Sequence, residues 1–506
     1  MIKIKLIQLL PILLITLTIL GCQPKTTTEE ASSKPNIVFI FTDDQTYTAI
    51  HALGNDEIIT PNMDRMVNAG TTFTNAYNMG AWNGAVCAAS RAQLNAGRSV
   101  WRVNEFRQNW LKGDSLDQTW SMMMKQAGYD TYITGKWHVD AKADDVFDVA
   151  KHIRPGMPKD NWEHDNMQKL FANEVANGEL TAEEVMPLGY NRPKDKFDTA
   201  WRPDDPAMGG FWAGGKHWSE VLKDDALSFI DSAKTKDTPF FMYLAFNAPH
   251  DPRQAPKEYQ DLYNLDSLTL PQSWVPEYAY QHLIGNGPAL RDEALAPFPR
   301  TEFATKTHIK EYYAIISHLD AQIGKILDAL EASGKMDNTY IFFTADHGLA
   351  MGRHGLIGKQ SLYDHSVRPP MIVIGPDVPK NQKNSADVYL QDIMASSLDL
   401  AGIAKPSFVE FNSMMPLARG ERTDSYYDAI YGAYIDKQRS IRKDGFKLIA
   451  YPKAKKLLLF DLNNDPEEMV DLSEAPEYAE KLKSLYSDLQ VLQTSYDDPL
   501  KLDFEL

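Results

Sequence analysis

The chain has 506 residues, of which 43% are hydrophobic and 24% are charged, and this composition is typical of a globular protein of about two or three domains. The net charge of −17 excludes a basic nucleic-acid-binding surface across the chain, so no nucleic-acid partner is expected. With only 2 cysteines, a disulfide framework and a structural zinc site made of cysteines are also excluded.

The N-terminal segment has the pattern of an export signal. Two lysines precede an apolar run over residues 6–20, which is short for a membrane span. The run ends in Leu20-Gly21-Cys22, which resembles the lipobox of bacterial lipoproteins. The resemblance implies that residues 1–21 are a signal peptide and that Cys22 is acylated, with residues 22–34 as a solvated tether. The expected location is therefore the bacterial cell envelope, lipid-anchored in the outer membrane or facing the periplasm. An ordinary secretory signal with an incidental cysteine is the alternative.

Continuous apolar runs predict strands that are buried on both faces of a parallel sheet. The first run covers residues 37–41, and similar runs cover residues 129–134, 239–246, 340–344 and 371–374. Helical patterns separate these runs, as over residues 309–330. The alternation predicts an α/β fold with a large mixed, mostly parallel sheet sandwiched between helices.

Polar side chains follow four of these predicted strands. They are Asp43 and Asp44, Lys136 and His138, His250, and Asp346 and His347. Because ligands bind beyond the carboxyl ends of the strands in open α/β sheets, we expect these side chains to form one site. Neighbouring carboxylates repel each other unless a cation lies between them, so Asp43, Asp44 and Asp346 predict a metal site. A solvated acidic turn is the alternative for the adjacent pair alone.

The pattern changes towards the C-terminus. Short strands are predicted over residues 426–434, 439–450 and 456–462, and an amphipathic helix over residues 474–493. We therefore predict a catalytic domain over residues 35–404 and a smaller α+β domain over residues 405–506.

The segment Cys87-Ala88-Ala89-Ser90-Arg91 resembles the signature of type I sulfatases, which belong to the alkaline phosphatase superfamily. Ala89 stands where the usual pattern has proline. The resemblance continues in the family's order through residues 36–45, 60–64, 135–138, 248–250, 344–348, 352–359, 368–370 and 460–468, and so covers nearly all of the chain after residue 34. It implies an alkaline phosphatase-like fold and sulfate-ester hydrolysis. It also implies that Cys87 is oxidised to formylglycine, whose hydrated aldehyde is the nucleophile.

The resemblance also implies the roles of individual residues. The catalytic residues would be Cys87, Arg91, Lys136, His138, His250 and Lys359, and the metal ligands would be Asp43, Asp44, Cys87, Asp346 and His347. Lys136 and Lys359 would contact the sulfate, Lys359 or His250 would protonate the leaving alcohol, and His138 would accept a proton. The implied metal is Ca²⁺, with Mg²⁺ as the alternative, and the implied partner is a formylglycine-generating or sulfatase-maturing enzyme.

The substrate is predicted from aromatic side chains that stand beside cations between residues 140 and 218. Such pairs suit a sulfated sugar, because rings stack on its C–H faces while cations meet its anionic groups. We predict His217, Trp218 and His354 as substrate contacts. The predicted function is a sulfatase acting on a sulfated polysaccharide or its oligosaccharides. A phosphate or phosphonate ester hydrolase of the same superfamily and a non-catalytic lipoprotein that binds sulfated glycans are the alternatives.

Overall fold

The computed structural model describes residues 34–158 and 160–505. The predicted signal peptide, Cys22 and the tether up to residue 33 lie outside the described residues. None of the helices in the two described ranges combines the length and the apolar composition that a bilayer span requires.

The strands of the described residues form one large sheet, one smaller sheet and one short pair. They are β1 (Asn36–Thr42), β2 (Thr71–Phe73), β3 (Ala76–Tyr77), β4 (Gly80–Ala81), β5 (Asp130–Lys136), β6 (Val149–Arg154), β7 (Phe240–Ala245), β8 (Thr339–Ala345), β9 (Met371–Ile374), β10 (Gln382–Asn384), β11 (Val388–Tyr389), β12 (Ile430–Tyr434), β13 (Gln438–Lys443), β14 (Phe446–Tyr451) and β15 (Lys456–Asp461).

The α-helices of the same residues lie between these strands and after the last of them. They are α1 (Pro61–Ala69), α2 (Val86–Ala96), α3 (Val100–Leu111), α4 (Trp120–Gln126), α5 (Ala143–Val146), α6 (His164–Leu170), α7 (Ala182–Val185), α8 (Trp218–Ala233), α9 (Lys257–Gln260), α10 (Glu302–Ala332), α11 (Asp364–Val367), α12 (Asp392–Leu400), α13 (Met415–Ala418) and α14 (Ala479–Ser495).

The large sheet has the order β10-β2-β9-β8-β1-β7-β5-β6. Its central strands β8, β1, β7 and β5 are parallel, whereas β9 runs antiparallel to both β8 and β2. The predicted fold class is therefore confirmed, and all five apolar runs are strands of this sheet. Strand β1 shows why they are apolar throughout: Phe39 packs into a core on one face of the sheet, and Ile40 packs into a core on the other.

The smaller sheet has the order β15-β14-β13-β12-β4. Its first four strands come from the C-terminal region, and α14 packs against them. The fifth strand, β4, comes from the segment just ahead of α2 and pairs in parallel with β12. Gly80 is required there, because a Cβ at this position would lie 1.8 Å from the carbonyl oxygen of Ala433.

The structure differs from the sequence-based elements in two details. The run predicted over residues 439–450 is two antiparallel strands, because Asp444 and Gly445 form a turn with φ of 53° and 76°. Strands β2, β3, β4, β6, β10 and β11 were not predicted, because they are short or carry exposed polar side chains. The domain boundary at residue 404 stays a prediction.

Candidate active site

The candidate site lies at the carboxyl ends of the central parallel strands. Asp43 and Asp44 follow β1, Lys136 ends β5, His250 lies in the loop after β7, and Asp346 follows β8. The strands are neighbours in the sheet, so residues that are as far apart in sequence as 43 and 346 come together.

Helix α2 brings Cys87 to this edge of the sheet. Cys87 lies in the first turn of α2, and its Sγ is 3.2 Å from His347 Nε2 and 3.3 Å from Lys359 Nζ. Burial raises the pKa of the Cys87 thiol well above its ordinary value. Since the thiolate is the nucleophilic form of cysteine, the unmodified side chain is a poor nucleophile in this setting.

Three carboxylates lie beside Cys87 and are fully buried. Ligand atoms of Asp43, Asp44, Cys87, Asp346 and His347 all lie within 4.8 Å of one another. Burial and the neighbouring Asp346 carboxylate raise the pKa of Asp43 well above its ordinary value. The Oδ1 atom of Asp43 has no hydrogen-bond donor among the described residues. Such a crowded cluster of hard oxygen ligands fits a divalent cation.

The imidazole of His347 is oriented to complete this donor set. Its Nδ1 lies 2.9 Å from the carbonyl oxygen of Gly348 and therefore carries the proton. The lone pair of Nε2 then faces Asp44 Oδ1 at 3.2 Å and Asp346 Oδ1 at 3.5 Å. The side chains present therefore fit a metal ion at this position, with His347 as a nitrogen ligand beside the carboxylates.

Three cations surround the cluster and are themselves buried. Lys136 donates to Asp43, and Lys359 Nζ lies 2.9 Å from Asp44 Oδ1. Arg91 donates through Nε to Asp346 at 3.0 Å, and its guanidinium packs 4.5 Å from the ring centre of Phe41. The site thus holds three cations against three carboxylates, so a bound divalent cation would make it net positive, as an anionic substrate requires.

Two histidines flank the cluster. His250 Nδ1 lies 2.8 Å from the carbonyl oxygen of Asp251, so Nε2 faces inwards, 3.8 Å from Asp44 Oδ2. His138 has a buried Nδ1 without a partner among the described residues. Burial, followed by the charge of Lys136, lowers the pKa of His138 to about 3, so its imidazole is neutral at neutral pH and holds a free lone pair.

A cavity of about 1010 Å³ opens above Cys87, with Lys136, His138, His250 and Lys359 in its wall. Other lining residues were not predicted, among them Arg291, Asp292, Gln360, Tyr434 and Lys437. Asp292 accepts from Gln360 Nε2 at 2.8 Å and lies 3.7 Å from Lys359 Nζ. The adjacent pair Arg291-Asp292 is the only sequence feature that could have indicated these lining residues. It lies in a loop with no hydrophobic periodicity, so the sequence analysis did not select it.

The structure does not place His217 and Trp218 in this cavity, so their prediction as substrate contacts is corrected. His217 is fully buried at the start of α8, where Nδ1 accepts from Ser219 N at 3.1 Å and Nε2 meets Gln254 O at 2.9 Å. Trp218 is buried beneath the guanidinium of Arg154. Both rings therefore pack at the start of α8 and contact the neighbouring segments.

His354 lies outside the cavity of Cys87 as well, so this predicted substrate contact is also corrected. Its ring stacks on Tyr363 at 4.0 Å between centroids and is 8% exposed. It borders a separate cavity of about 470 Å³ that Trp274, Tyr280 and Phe460 also line. The histidine therefore contributes packing against Tyr363 beside this second cavity.

The placement of His354 predicts a dependence of stability on pH. Burial lowers the pKa of His354 to about 4 in the fold, below its value near 6.5 in the unfolded chain. Between these values the unfolded state binds the extra proton, so stability is lost as the pH falls from about 6.5 to about 4.

His354→Phe keeps the ring stack, and we expect it to reduce the difference in unfolding free energy between pH 7.5 and 4.5 by about 2 to 3 kcal/mol. Urea unfolding at both pH values measures this, with the exposed His51→Asn as control. An unchanged difference would contradict the assignment.

A mostly parallel sheet whose strand ends hold a buried carboxylate cluster, beside a side chain in the first turn of a helix, is the arrangement that the resemblance to the alkaline phosphatase superfamily implies. The family model "Sulfatase" matches residues 35–403, and the model "N-sulphoglucosamine sulphohydrolase, C-terminal" matches residues 352–495. The chain therefore belongs to the sulfatase family and is a sulfuric ester hydrolase. Membership of this family implies a metal ion and a formylglycine, in keeping with the buried cluster around Cys87.

Known proteins resemble the chain over most of its length. An N-acetylglucosamine-6-O-sulfatase of Bacteroides thetaiotaomicron is 26% identical, over 93% of this chain and 88% of its own. The structure of BT4656 with its substrate D-glucosamine-2-N,6-O-disulfate has a TM-score of 0.68 at 23% identity, covering 92% of this chain and 99% of its own. A phosphonate monoester hydrolase from Silicibacter pomeroyi has a TM-score of 0.69 at 19% identity, covering 91% and 96%.

Proposed function

We propose that this sulfatase hydrolyses sulfate esters on a sulfated polysaccharide or on the oligosaccharides derived from it. The observation that carries the proposal is the buried group of Cys87, Lys136 and Lys359 beside three carboxylates, at the base of a cavity large enough for sugar rings. Two of the proteins named above, the N-acetylglucosamine-6-O-sulfatase and BT4656 with its glucosamine disulfate substrate, support a carbohydrate substrate.

Lys136 and Lys359 hold the sulfate group. Their ammonium groups are buried, one bonded to Asp43 and the other to Asp44, and both residues line the cavity, so they present donors to sulfate oxygens there. Charge that develops on these oxygens during the reaction is stabilised by donors that are already in place. Arg91 keeps this arrangement rigid, since it bonds to both Asp346 and the carbonyl oxygen of Lys136.

Proton transfer is divided between two sides of the site. Lys359 Nζ carries the proton for the leaving oxygen, because burial lowers the pKa of His250 well below its ordinary value and leaves that imidazole neutral. His250 Nε2 lies 3.8 Å from Asp44 Oδ2 at the wall of the same cavity. On the other side, His138 accepts a proton, since its imidazole lines the cavity and is neutral.

The proposed metal is Ca²⁺, held by Asp43, Asp44, Asp346, His347 and position 87, because carboxylate oxygens predominate in the donor set. When bound, the ion would act as a Lewis acid that polarises oxygen and offsets negative charge. Formylglycine at position 87, made from Cys87 by a formylglycine-generating or sulfatase-maturing enzyme, would supply the nucleophilic oxygen that a buried thiol cannot.

We also propose that the protein is a lipoprotein of the bacterial cell envelope, anchored through Cys22 in the outer membrane or facing the periplasm. The sequence of the N-terminal segment supports this, as does a substrate that is processed outside the cytoplasm. Labelling with a radioactive fatty acid in the native host tests it, and Cys22→Ala is expected to remove the label.

A panel of defined sulfated oligosaccharides tests the substrate. We expect sulfate release from at least one sugar sulfate with a kcat/KM well above that for 4-nitrophenyl sulfate, because the cavity binds the sugar as well as the sulfate. Turnover of aryl sulfates with none on any sugar sulfate would contradict a carbohydrate substrate.

A phosphate or phosphonate ester hydrolase is the second candidate, and the shared fold of the phosphonate monoester hydrolase is the observation that favours it. Rates on 4-nitrophenyl sulfate, 4-nitrophenyl phosphate and 4-nitrophenyl phenylphosphonate distinguish the two. We expect the sulfate to react faster than the doubly charged phosphate, because a singly charged ester matches a site whose cations are largely neutralised by carboxylates. The phosphonate ester is also singly charged, so a faster rate on it than on the sulfate would favour the second candidate.

A further inference from the structure

Lys437 lines the same cavity as Cys87. It lies in the turn over residues 435–437 that joins β12 to β13. The turn is fixed by its backbone, since Ile435 N donates to Ala81 O at 2.8 Å and Lys437 N donates to Tyr434 O at 3.1 Å. The pairing of β12 with β4 therefore sets the position of this lysine.

The ammonium of Lys437 has no carboxylate within ion-pair distance in the part of the chain that the structure describes. The nearest acidic residue in sequence, Asp436, binds Lys453 at 2.7 Å instead. Burial, and then the charge of Lys453, lowers the pKa of Lys437. A partly desolvated cation beside a second cation is unfavourable by itself, and an anionic ligand would relieve that cost.

The loop opposite this turn is shaped to admit basic side chains. A Cβ at Gly285 would lie 2.2 Å from Lys437 Nζ, so the ammonium rests against the backbone of this glycine. A Cβ at Gly287 would lie 2.8 Å from His282 Nδ1. Lys437 and His282 thus both line the cavity at its glycine-containing rim.

The basic groups at the base of the cavity are already matched by acids. Lys136 and Lys359 bond to Asp43 and Asp44, and Arg291 bonds to Asp292 at 2.7 Å. The volume of about 1010 Å³ lies at the upper end of the range of about 300 to 1,000 Å³ for small-molecule pockets. There is room for a charged group at Lys437 while a sulfate ester occupies the base.

We propose that Lys437, with His282 in the same cavity lining, forms a subsite for a second anionic group, a sulfate or a carboxylate, on the sugar whose sulfate ester is hydrolysed. The subsite rests on the proposed activity on sulfated sugars and narrows it to glycans that carry at least two negative groups within reach of one cavity. Lys437 determines specificity and takes no part in the bond-breaking step.

Heparin-derived disaccharides test the subsite in matched pairs that differ only by one sulfate or by reduction of the carboxylate to an alcohol. For Lys437→Gln we expect KM to rise about 10-fold to 100-fold on doubly anionic substrates, the loss expected for one charge-assisted contact, with kcat unchanged. Turnover of 4-nitrophenyl sulfate should not change. If the effect of Lys437→Gln on KM disappears when one sulfate is removed from the disaccharide, the group bound by Lys437 is that sulfate. If it disappears when the carboxylate is reduced, the group is the carboxylate.

Lys453→Gln is the matched control, because it removes the same charge from the neighbouring lysine, which pairs with Asp436 and does not line the cavity. Equal effects of Lys437→Gln on singly and doubly anionic substrates, or no effect on either, would overturn the subsite.

Failure of the wild-type enzyme to hydrolyse any sugar sulfate would instead refute the proposed function. In that case the affinity of Cys87→Ala for the same disaccharides, with and without Lys437→Gln, decides: a loss confined to doubly anionic ligands supports the subsite, and unchanged affinity overturns it.

Discussion

Replacing Cys87 with alanine is expected to lower kcat on sulfate esters by about 10⁵-fold to 10⁶-fold, the loss that follows removal of a catalytic nucleophile. The side chain lies within 3.3 Å of both His347 Nε2 and Lys359 Nζ, at the base of the cavity. The change removes a small buried group and leaves the cavity wall in place. Steady-state kinetics on the best sugar sulfate measures the effect.

Binding serves as the control for this variant. The donors Lys136 and Lys359 are unchanged, so titration calorimetry should show that Cys87→Ala still binds the sulfated sugar. Mass spectrometry of the peptide that contains position 87, taken from the native host, should show the aldehyde in place of the thiol. An active protein with an unmodified thiol would refute the proposed role of formylglycine, and an inactive one that binds sulfated sugars would favour a non-catalytic glycan-binding lipoprotein.

Removal of divalent cations with a chelator is expected to lower activity by at least about 1,000-fold, because an ion at this site contributes several kcal/mol of charge stabilisation. It should also lower the melting temperature, since Asp43, Asp44 and Asp346 are fully buried and repel one another without a cation. Adding Ca²⁺ back should restore both properties more fully than Mg²⁺ does.

Asp346→Asn tests the same site without a chelator. The variant loses one carboxylate of the cluster, so its melting temperature should no longer respond to Ca²⁺. Asp261→Asn is the matched control, because it makes the same change at an exposed residue that pairs with Lys257. A calcium response that persists in Asp346→Asn, or an enzyme that is fully active after exhaustive chelation, would contradict the proposed metal site.

The sequence predicts most of the sheet and the base of the site, because both depend on short local patterns. Strand β1 is an uninterrupted apolar run, and the acids directly after it must lie at the carboxyl edge of the sheet. The parallel order of β8, β1 and β7 then brings Asp346 and His250 to Asp44. The prediction that these side chains form one site depended both on the position of ligand sites at the carboxyl ends of parallel strands and on the family resemblance.

The wall of the cavity could not be predicted in the same way. Tyr434 and Lys437 reach it only because β12 pairs with β4, a strand of two residues that carries no periodic pattern. Arg291 stands in an aperiodic loop of the same wall. His217 shows the opposite error: a histidine beside aromatic residues looked like a ligand contact, but its two nitrogens are occupied by Ser219 and Gln254.

The burial of Cys87 has a consequence for the order of events during synthesis. The side chain is only 3% exposed, and the groups that cover it include His347 and Lys359, which follow it by more than half the length of the chain. While the ribosome is still making that later part, the sulfur remains open to a modifying enzyme. Once the later strands join the sheet, the same sulfur is enclosed. The proposed oxidation of Cys87 would therefore have to precede completion of the fold.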